Sequence, residues 1–275
     1  MKQQKLGFIG AGNMAGSLIA GLIADGYAPE NIWVSDPNQG KREQLSATFG
    51  IHTTPDNNEV VNQARLVVLA VKPQVLRYTA QEIAAAICQS KPLVVSLAAG
   101  VAIADIARWL DGYSSIVRSM PNTPALVKSG ATGLYAHASV GFEQRNQAES
   151  VLRAVGLTVW VENENLLDVV TALSGSGPAY FFLFMEAMEA AAVQLGLAPQ
   201  TARILTQQTA LGAARLAIES DEAPAQLREK VTSPGGTTEQ AIRVFEEAGL
   251  RATVEAAMCA AQQKAVELSQ GAGDE

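Results

Sequence analysis

Two hydrophobic patterns divide the chain. In the first half, short apolar runs alternate with stretches whose apolar residues recur at helical spacing. The predicted strands span residues 6–9, 32–35, 65–70, 93–97, 115–118 and 133–135. Residues 66–71 are apolar at every position, which is typical of a strand covered on both faces. The alternation predicts an α/β fold, a Rossmann-type doubly wound parallel sheet over residues 1–162.

The second pattern begins at about Asn163, where strand-like runs give way to Ala-rich stretches with helical period. The predicted helices span residues 166–172, 179–195, 199–218, 238–248 and 252–268. We therefore expect an all-α domain over residues 163–275. Apolar side chains cluster in one of these helices, at Phe181, Phe182, Phe184, Met185 and Met188. The cluster predicts contact with a second subunit, and the alternative is the core of a monomer.

A glycine-rich motif follows the first predicted strand. Gly10-Ala11-Gly12-Asn13-Met14-Ala15 fits the pattern G-x-G-x-x-G/A between a strand and a helix. The first glycine allows a tight turn, the second leaves room for a pyrophosphate, and the alanine permits close helix packing. The N–H groups of the helix start favour an anion. The motif predicts a dinucleotide site at the carboxyl edge of the sheet, where residues 70–72 and 96–100 also lie; the alternative is a turn without a ligand.

Polar, glycine-rich stretches interrupt the helical half at residues 173–178 and 231–238. Each precedes a predicted helix, so each is expected to be a loop that offers N–H groups and hydroxyls to an anion. The alternative is that their Ser and Thr residues only cap helices. A small carboxylate is the expected ligand, because phosphate would favour additional Arg or Lys nearby.

Composition narrows the choice of partners and compartment. The chain has 275 residues, with 20 Lys and Arg against 27 Asp and Glu, and this net charge of -7 argues against nucleic-acid binding. Cys88 and Cys259 are far apart and predict free, buried thiols in a reducing compartment. No signal peptide is recognised, and residues 179–193 contain Glu186 and Glu189 and are too short to span a bilayer. We therefore expect a cytoplasmic protein without a membrane partner.

The same residues exclude several kinds of catalysis. The chain has two histidines, His52 and His137, and no His/Cys cluster with the spacing of metal ligands, so we expect no metal site. No G-x-S-x-G motif follows a strand, which argues against a hydrolytic triad. Chemistry carried by a cofactor remains, and hydride transfer to a small carboxylate substrate fits the motifs.

Further motifs carry a family resemblance. They are Phe8-Ile9-Gly10-Ala11-Gly12-Asn13-Met14, Ala70-Val71-Lys72-Pro73, Ala98-Ala99-Gly100, Met120-Pro121-Asn122-Thr123-Pro124, Leu173-Ser174-Gly175-Ser176-Gly177-Pro178-Ala179-Tyr180 and Ser233-Pro234-Gly235-Gly236-Thr237-Thr238. With them the chain resembles the pyrroline-5-carboxylate reductases over essentially its whole length. The last two motifs together are the most specific.

The resemblance implies NAD(P)H-dependent reduction of 1-pyrroline-5-carboxylate to L-proline. It also implies a helical dimerisation domain arranged as in 6-phosphogluconate dehydrogenase, with dimers often gathered into a decamer. The implied cofactor-binding residues are Gly10, Ala11, Gly12, Asn13, Met14, Ser35, Asp36, Asn38, Asn57, Ala70, Val71, Lys72, Pro73, Leu97, Ala98 and Ala99. The implied substrate-binding residues are Glu164, Gly236, Thr237 and Thr238, and Thr171 is the implied catalytic residue, bonded to the ring nitrogen.

Two other functions remain as alternatives. β-Hydroxyacid dehydrogenases resemble this chain in layout but carry a helix Lys after their glycine-rich motif, and residues 178–183 here contain no Lys. The other alternative is a non-catalytic NAD(P)-binding protein. The choice between NADPH and NADH stays open, because Asp36 would repel a 2′-phosphate while Lys41 and Arg42 would attract it.

Overall fold

The structure, a computed structural model, describes residues 4–274, with side chains up to residue 269. Its sheet has eight strands in the order β3-β2-β1-β4-β5-β6-β7-β8. The strands are β1 Leu6–Ile9, β2 Ile32–Ser35, β3 His52–Thr54, β4 Leu66–Leu69, β5 Leu93–Ser96, β6 Ile116–Met120, β7 Gly130–Ala136 and β8 Gly156–Trp160. This order is that of a doubly wound sheet, as the sequence predicts.

Two short strands and one strand direction differ from the prediction. Strands β3 and β8 were not predicted, because β3 is brief and polar and because Gly156 and Thr158 interrupt the apolar residues of β8. Strand β7 runs antiparallel to β6 rather than parallel. The connection between them is a short 3-10 helix, Thr123–Val127, and such a link is too short for the crossover that a parallel pair needs.

Helices cover the sheet and form the rest of the chain. They are α1 Asn13–Ala24, α2 Gln39–Phe49, α3 Asn57–Gln63, α4 Pro73–Ser90, α5 Ile103–Trp109, α6 Phe142–Arg153, α7 Leu166–Val170, α8 Gly177–Gln194, α9 Pro199–Glu219, α10 Pro224–Lys230, α11 Thr237–Glu247 and α12 Leu250–Asp274. A second 3-10 helix spans Pro29–Asn31. Successive residues of β1 enter different cores, Phe8 one and Ile9 the other, so the sheet is buried on both faces.

The chain forms two compact units. One extends to Ser176 and includes the residues from Ala261 onward, and the other comprises residues 177–260. The expected boundary after residue 162 therefore does not match the compact units. The reason is packing: α7 lies so close to β7 that a Cβ placed on Gly133 would be 2.8 Å from Val170 Cγ1.

The expected loop at residues 173–178 is wrong. Residues Thr171–Gly175 form a turn of π-helix that joins α7 to α8, so Leu166–Gln194 is one helical run of 29 residues. The expectation that this region is too short to span a bilayer is therefore wrong, since the run is long enough and contains an 18-residue window with a mean hydropathy of 1.3. The charged residues Glu186 and Glu189 remain within it.

Helix α8 presents apolar side chains on the surface of the single chain. Phe181 and Phe182 are 68% and 64% exposed, and the ring of Phe184, which is exposed too, lies 5.8 Å from the ring of Phe245. The expected cluster is thus not the core of a monomer. An apolar surface of this kind is typical of an interface with another subunit.

The two thiols are both free, but their surroundings differ from expectation. Cys88 is partly buried, and its Sγ lies 3.6 Å from the carbonyl oxygen of Leu110. Cys259 is exposed in the single chain, so the expectation of a buried thiol is wrong there.

Candidate active site

The carboxyl ends of β1, β2, β4 and β5 meet at one edge of the sheet, because these strands are parallel. Backbone hydrogen bonds continue beyond the strand ends: Gly10 N–H donates to Ser35 O at 2.7 Å, and Ala70 N–H donates to Ile9 O at 2.8 Å. Leu97 N–H donates to Leu69 O at 3.0 Å. The structure therefore brings together four of the five chain segments in which cofactor-binding residues are predicted; the fifth is Asn57.

The glycine-rich turn has one glycine that the fold requires and one that it does not. Gly10 has φ +104°, and a Cβ there would lie 2.7 Å from Ala70 O. Gly12 is extended, with φ -78°, and a Cβ on it would meet nothing within 4 Å. Helix α1 begins at Asn13 without a side-chain cap, so the first N–H groups of the helix have no capping side chain. This combination leaves space and donors for an anion.

Asp36 holds this turn in place. Its Oδ2 accepts a hydrogen bond from Ala11 N–H at 2.9 Å, and its Oδ1 accepts one from Asn38 N–H, also at 2.9 Å. The residue is only 8% exposed. Lys41 Nζ lies 3.8 Å from the same carboxylate, and Arg42 donates to the Asp36 carbonyl oxygen. Sequence reasoning treated Asp36 as a partner of the ribose alone and missed its bond to the turn.

Side chains beside β2 bond to one another. Ser35 Oγ donates to Asn57 Oδ1 at 2.6 Å, and Asn57 Nδ2 donates to Glu82 Oε2 at 2.9 Å. Asn38 caps α2, since its Oδ1 accepts from Lys41 N–H. These hydrogen bonds fix the side chains of Ser35, Asn38 and Asn57, which are the residues expected to contact the adenosine.

The ends of β4 and β5 supply two further segments. Ala70, Val71 and Pro73 are half-buried, and Lys72 is exposed at the start of α4. After β5, Leu97 and Ala99 are half-buried and Ala98 is buried.

A close contact follows these segments at Gly100. Gly100 has φ +69°, and a Cβ there would lie 3.1 Å from Leu268 Cβ of α12. The turn after β5 therefore lies directly beneath the end of the last helix, and both belong to the first unit.

Glu164 and Thr171 lie in the first unit, and their side chains already have partners. Glu164 Oε1 accepts from Ile103 N–H at 2.7 Å and lies 3.1 Å from Arg118 Nη1. Arg118 Nη2 lies 3.4 Å from Asp168 Oδ1. Thr171 Oγ1 donates to Leu167 O at 2.7 Å, which leaves its lone pairs available as acceptors.

Sequence reasoning missed Arg118 and Asp168, although an arginine inside the apolar run of a strand is a usable signal. It also did not foresee the role of Asn122. That side chain accepts from Ala131 N–H at 2.8 Å and donates to Ser174 O at 2.9 Å, so it connects β7 to the π-turn.

The remaining predicted residues belong to the second unit. Helix α11 begins at Thr237, with Gly236 as its N-cap, and the preceding Gly235 has φ +74°. Thr237 is exposed and Thr238 is half-buried. Glu239 was not considered from the sequence, yet its Oε2 accepts from Gly235 N–H at 2.8 Å and closes the turn. The N-terminus of α11 therefore offers backbone donors beside a carboxylate.

Comparisons with known proteins place this chain in a family. Residues 164–268 match the family model described as pyrroline-5-carboxylate reductase dimerisation, and residues 5–100 match that of coenzyme F420-dependent NADP oxidoreductases. The pyrroline-5-carboxylate reductase of Pseudomonas aeruginosa is 48% identical over 99% of this chain and 100% of its own length. The chain belongs to the pyrroline-5-carboxylate reductase family.

Solved structures of pyrroline-5-carboxylate reductases have the same fold. That of Coxiella burnetii has a TM-score of 0.93 at 50% identity, covering 97% of this chain and 98% of its own. That of Plasmodium falciparum, solved with NADP bound, has a TM-score of 0.86 at 28% identity, covering 98% and 99%. The predicted fold class, a Rossmann-type sheet followed by a helical dimerisation domain, is confirmed. The exposed phenylalanines of α8 lie within residues 164–268, the part of this chain that matches the dimerisation model.

Proposed function

We propose that the protein is an oxidoreductase that reduces the C=N bond of 1-pyrroline-5-carboxylate with NADPH or NADH, giving L-proline in the last step of proline biosynthesis. The observation that carries the proposal is full-length similarity to a reductase that is 48% identical. The glycine turn, with space at Gly12 and donors at the start of α1, fits a dinucleotide.

The cofactor assignment follows the carboxyl edge of the sheet. The pyrophosphate is assigned to residues 11–14, at the turn that Gly10 forms, and the adenosine to Ser35, Asp36, Asn38 and Asn57. The nicotinamide is assigned to residues 70–72 and 97–99, and Pro73 is assigned to the cofactor as well. Bound there, a dihydronicotinamide supplies the hydride, and the protein contributes position and electrostatics.

Residues are assigned to the substrate in each unit separately. In the second unit, Gly236, Thr237 and Thr238 are assigned to the carboxylate. The N–H of Gly236 already donates to Ser233 O at 3.0 Å, so the N–H groups of the first helical residues and the hydroxyl of Thr238 are the donors. In the first unit, the resemblance also assigns Glu164 to the substrate, and its Oε1 is occupied by Ile103 N–H and Arg118. Thr171 accepts a hydrogen bond from the protonated imine N–H, because its own hydrogen is directed to Leu167 O. A protonated imine is already electrophilic, so holding it in place is the main task of the protein.

A purified-protein assay separates this function from its alternatives. NADPH oxidation should depend on the cyclic imine acid and yield proline. Oxidation of a β-hydroxyacid with NADP instead would favour the dehydrogenase alternative, although residues 178–183 carry no Lys to act as its base. Cofactor binding without turnover of either compound would favour a non-catalytic protein.

Two substitutions of Asp36 should separate its charge from its hydrogen bonds. Asp36→Asn keeps an oxygen acceptor for Ala11 N–H, loses the one for Asn38 N–H and removes the negative charge, so the ratio of kcat/KM for NADPH to that for NADH should rise. Asp36→Ala leaves a buried N–H without its acceptor, so kcat/KM for both cofactors should fall by about tenfold to a hundredfold. Steady-state kinetics with each cofactor measure both effects.

A matched control for Asp36 is Asp56→Asn, which alters another acid that accepts a backbone N–H, that of Asn58, at a helix start. It should leave the cofactor ratio unchanged. If Asp36→Asn also left the ratio unchanged, the carboxylate would not face the 2′ position of the ribose.

Thr238→Val tests the carboxylate site. The change keeps the side-chain shape and removes the hydroxyl, and a lost hydrogen bond to a charged group lowers kcat/KM for the imine acid by about tenfold to a hundredfold. The KM for NADPH should stay unchanged. Thr253→Val removes another helix hydroxyl, one that bonds to Gly249 O, and should change neither constant. A raised cofactor KM with an unchanged substrate KM would place the cofactor, not the substrate, at this helix.

The assembly is proposed from the dimerisation region and the apolar surface of α8. We infer dimers that associate further, to a decamer, in the cytoplasm, without a nucleic-acid or membrane partner. In this view the partner subunit, rather than lipid, covers the run Leu166–Gln194.

We also propose a functional division of the chain between residues 162 and 163, with the cofactor assigned mainly to the first part and the substrate to the second. Among residues 4–274, no group of His, Cys, Asp and Glu is arranged to hold a metal ion.

A further inference from the structure

A buried ionic cluster lies between the sheet and α7 in the first unit. Arg118 of β6 is only 4% exposed, and its guanidinium lies 3.1 Å from Glu164 Oε1 and 3.4 Å from Asp168 Oδ1. The backbone N–H of Ile103 donates to the same Glu164 oxygen at 2.7 Å. One cation and two carboxylates thus connect β6, the segment before α7, α7 itself and the start of α5.

Each contact of the cluster fixes a neighbouring element. Helix α5 begins at Ile103, and its N-cap residue, Ala102, has no side chain that could accept a hydrogen bond. The carboxylate of Glu164, which is far away in the chain, accepts the hydrogen bond from Ile103 N–H instead. Removing Glu164 therefore leaves a buried N–H group of Ile103 without its acceptor, and the start of α5 becomes free to move.

The cluster lies beside the segments assigned to the reaction. Arg118 pairs with Ser96 in the sheet, and Ser96 is the last residue before Leu97. On the other side, Asp168 lies one helical turn before Thr171. Arg118 is thus bonded to the element that carries the imine-binding hydroxyl and lies next to the segment assigned to the nicotinamide.

We propose that Arg118 is a positioning residue: through Glu164 and Asp168 it fixes the segment 97–103 relative to Thr171, and so sets the distance between the hydride donor and the imine. This inference rests on the proposed function and gives Glu164 a different role, as an internal partner rather than a substrate ligand. Reacting atoms must approach to about 3–3.5 Å, and a misplacement of about 1 Å is enough to slow a reaction about a hundredfold.

The test uses Arg118→Met, Arg118→Lys and Glu164→Gln. Arg118→Met keeps the length of the side chain and removes its charge and donors, so kcat should fall by about a hundredfold with little change in either KM. Arg118→Lys should recover part of kcat because one charged donor returns. Glu164→Gln keeps an acceptor for Ile103 N–H and should lower kcat less than Arg118→Met. Arg153→Met, which breaks an exposed ion pair with Glu149 in the same unit, is the control and should leave kcat unchanged.

Hydrogen–deuterium exchange of the protein without substrate gives a second readout. Exchange at Ile103 should accelerate in Arg118→Met, and more so in Glu164→Ala, while amides in the centre of β1 stay protected. Unchanged exchange at Ile103 together with unchanged kcat would overturn the inference. A rise in the substrate KM alone in Glu164→Gln would also overturn it, because Glu164 would then contact the substrate. If the wild-type protein fails to reduce the imine acid, the proposed function is wrong, and so is the role in catalysis inferred for Arg118. Accelerated exchange at Ile103 in the variants would still show that Arg118 and Glu164 hold the start of α5 in place.

Discussion

Gly12→Val should abolish the binding of NADPH and NADH while leaving the protein folded. A Cβ on Gly12 meets no atom of the protein within 4 Å, and its backbone is extended, so valine is compatible with the fold. The same open space is where the pyrophosphate is assigned, and a branched side chain there would block its approach to the N–H groups of α1. Cofactor titration by fluorescence, with circular dichroism as the check on folding, measures the result.

Gly10→Val is the matched comparison in the same turn. Here the side chain would meet Ala70 O at 2.7 Å and would force valine to adopt φ +104°. Such strain costs about 1–3 kcal/mol, so the Tm should fall and the soluble yield with it. If Gly12→Val bound NADPH as tightly as the wild-type protein does, the pyrophosphate would lie elsewhere.

Phe182→Asp should convert the dimer to monomers. The ring is 64% exposed in the single chain and belongs to the matched dimerisation region. In the dimer the carboxylate of Asp would be buried in an apolar interface without a partner charge. The loss of its hydration costs several kcal/mol, as estimated from the transfer of charged groups out of water. Sedimentation velocity should show a concentration-dependent loss of the dimer, and thermal unfolding should begin at a lower temperature, because an interface that stabilises the folded chain is lost.

Phe142→Asp is the control for the dimer experiment. Phe142 is 78% exposed at the start of α6 and lies outside residues 164–268. The same chemical change there should leave the assembly intact. A dimer that survives Phe182→Asp would mean that α8 meets solvent or another surface, and that different helices form the interface.

The sequence could predict those features that depend on local pattern. The strands β1 and β2 were located to the residue, because buried parallel strands are short apolar runs between helices. The turn at Gly10 and Gly12 was found because its steric demands restrict the residues that can occupy it. The position of the cofactor site at the carboxyl edge of the sheet was predicted because ligands of parallel α/β sheets bind at that edge.

Features that depend on contacts between distant residues were not predictable. The bond from Ala11 N–H to Asp36 joins two strand ends, and nothing in either segment reveals it. The cluster around Arg118 requires that residues far apart in the chain meet. The π-turn at Thr171–Gly175 was taken for a loop because Ser and Gly are poor helix formers, and burial of Ala172 and the packing of α7 override that preference.

The first compact unit consists of two segments that are far apart in the chain, and this determines the order in which its parts can fold during translation. Ala265, which is buried in that unit, is separated from Ser176 by the whole second unit, and Leu268 covers the turn at Gly100. The sheet can form early during translation, but the turn beside its carboxyl edge stays uncovered until the end of α12 has left the exit tunnel. The nascent chain therefore exposes that turn while the intervening helices are being made. Removing the end of α12 should leave the sheet domain in this unfinished state.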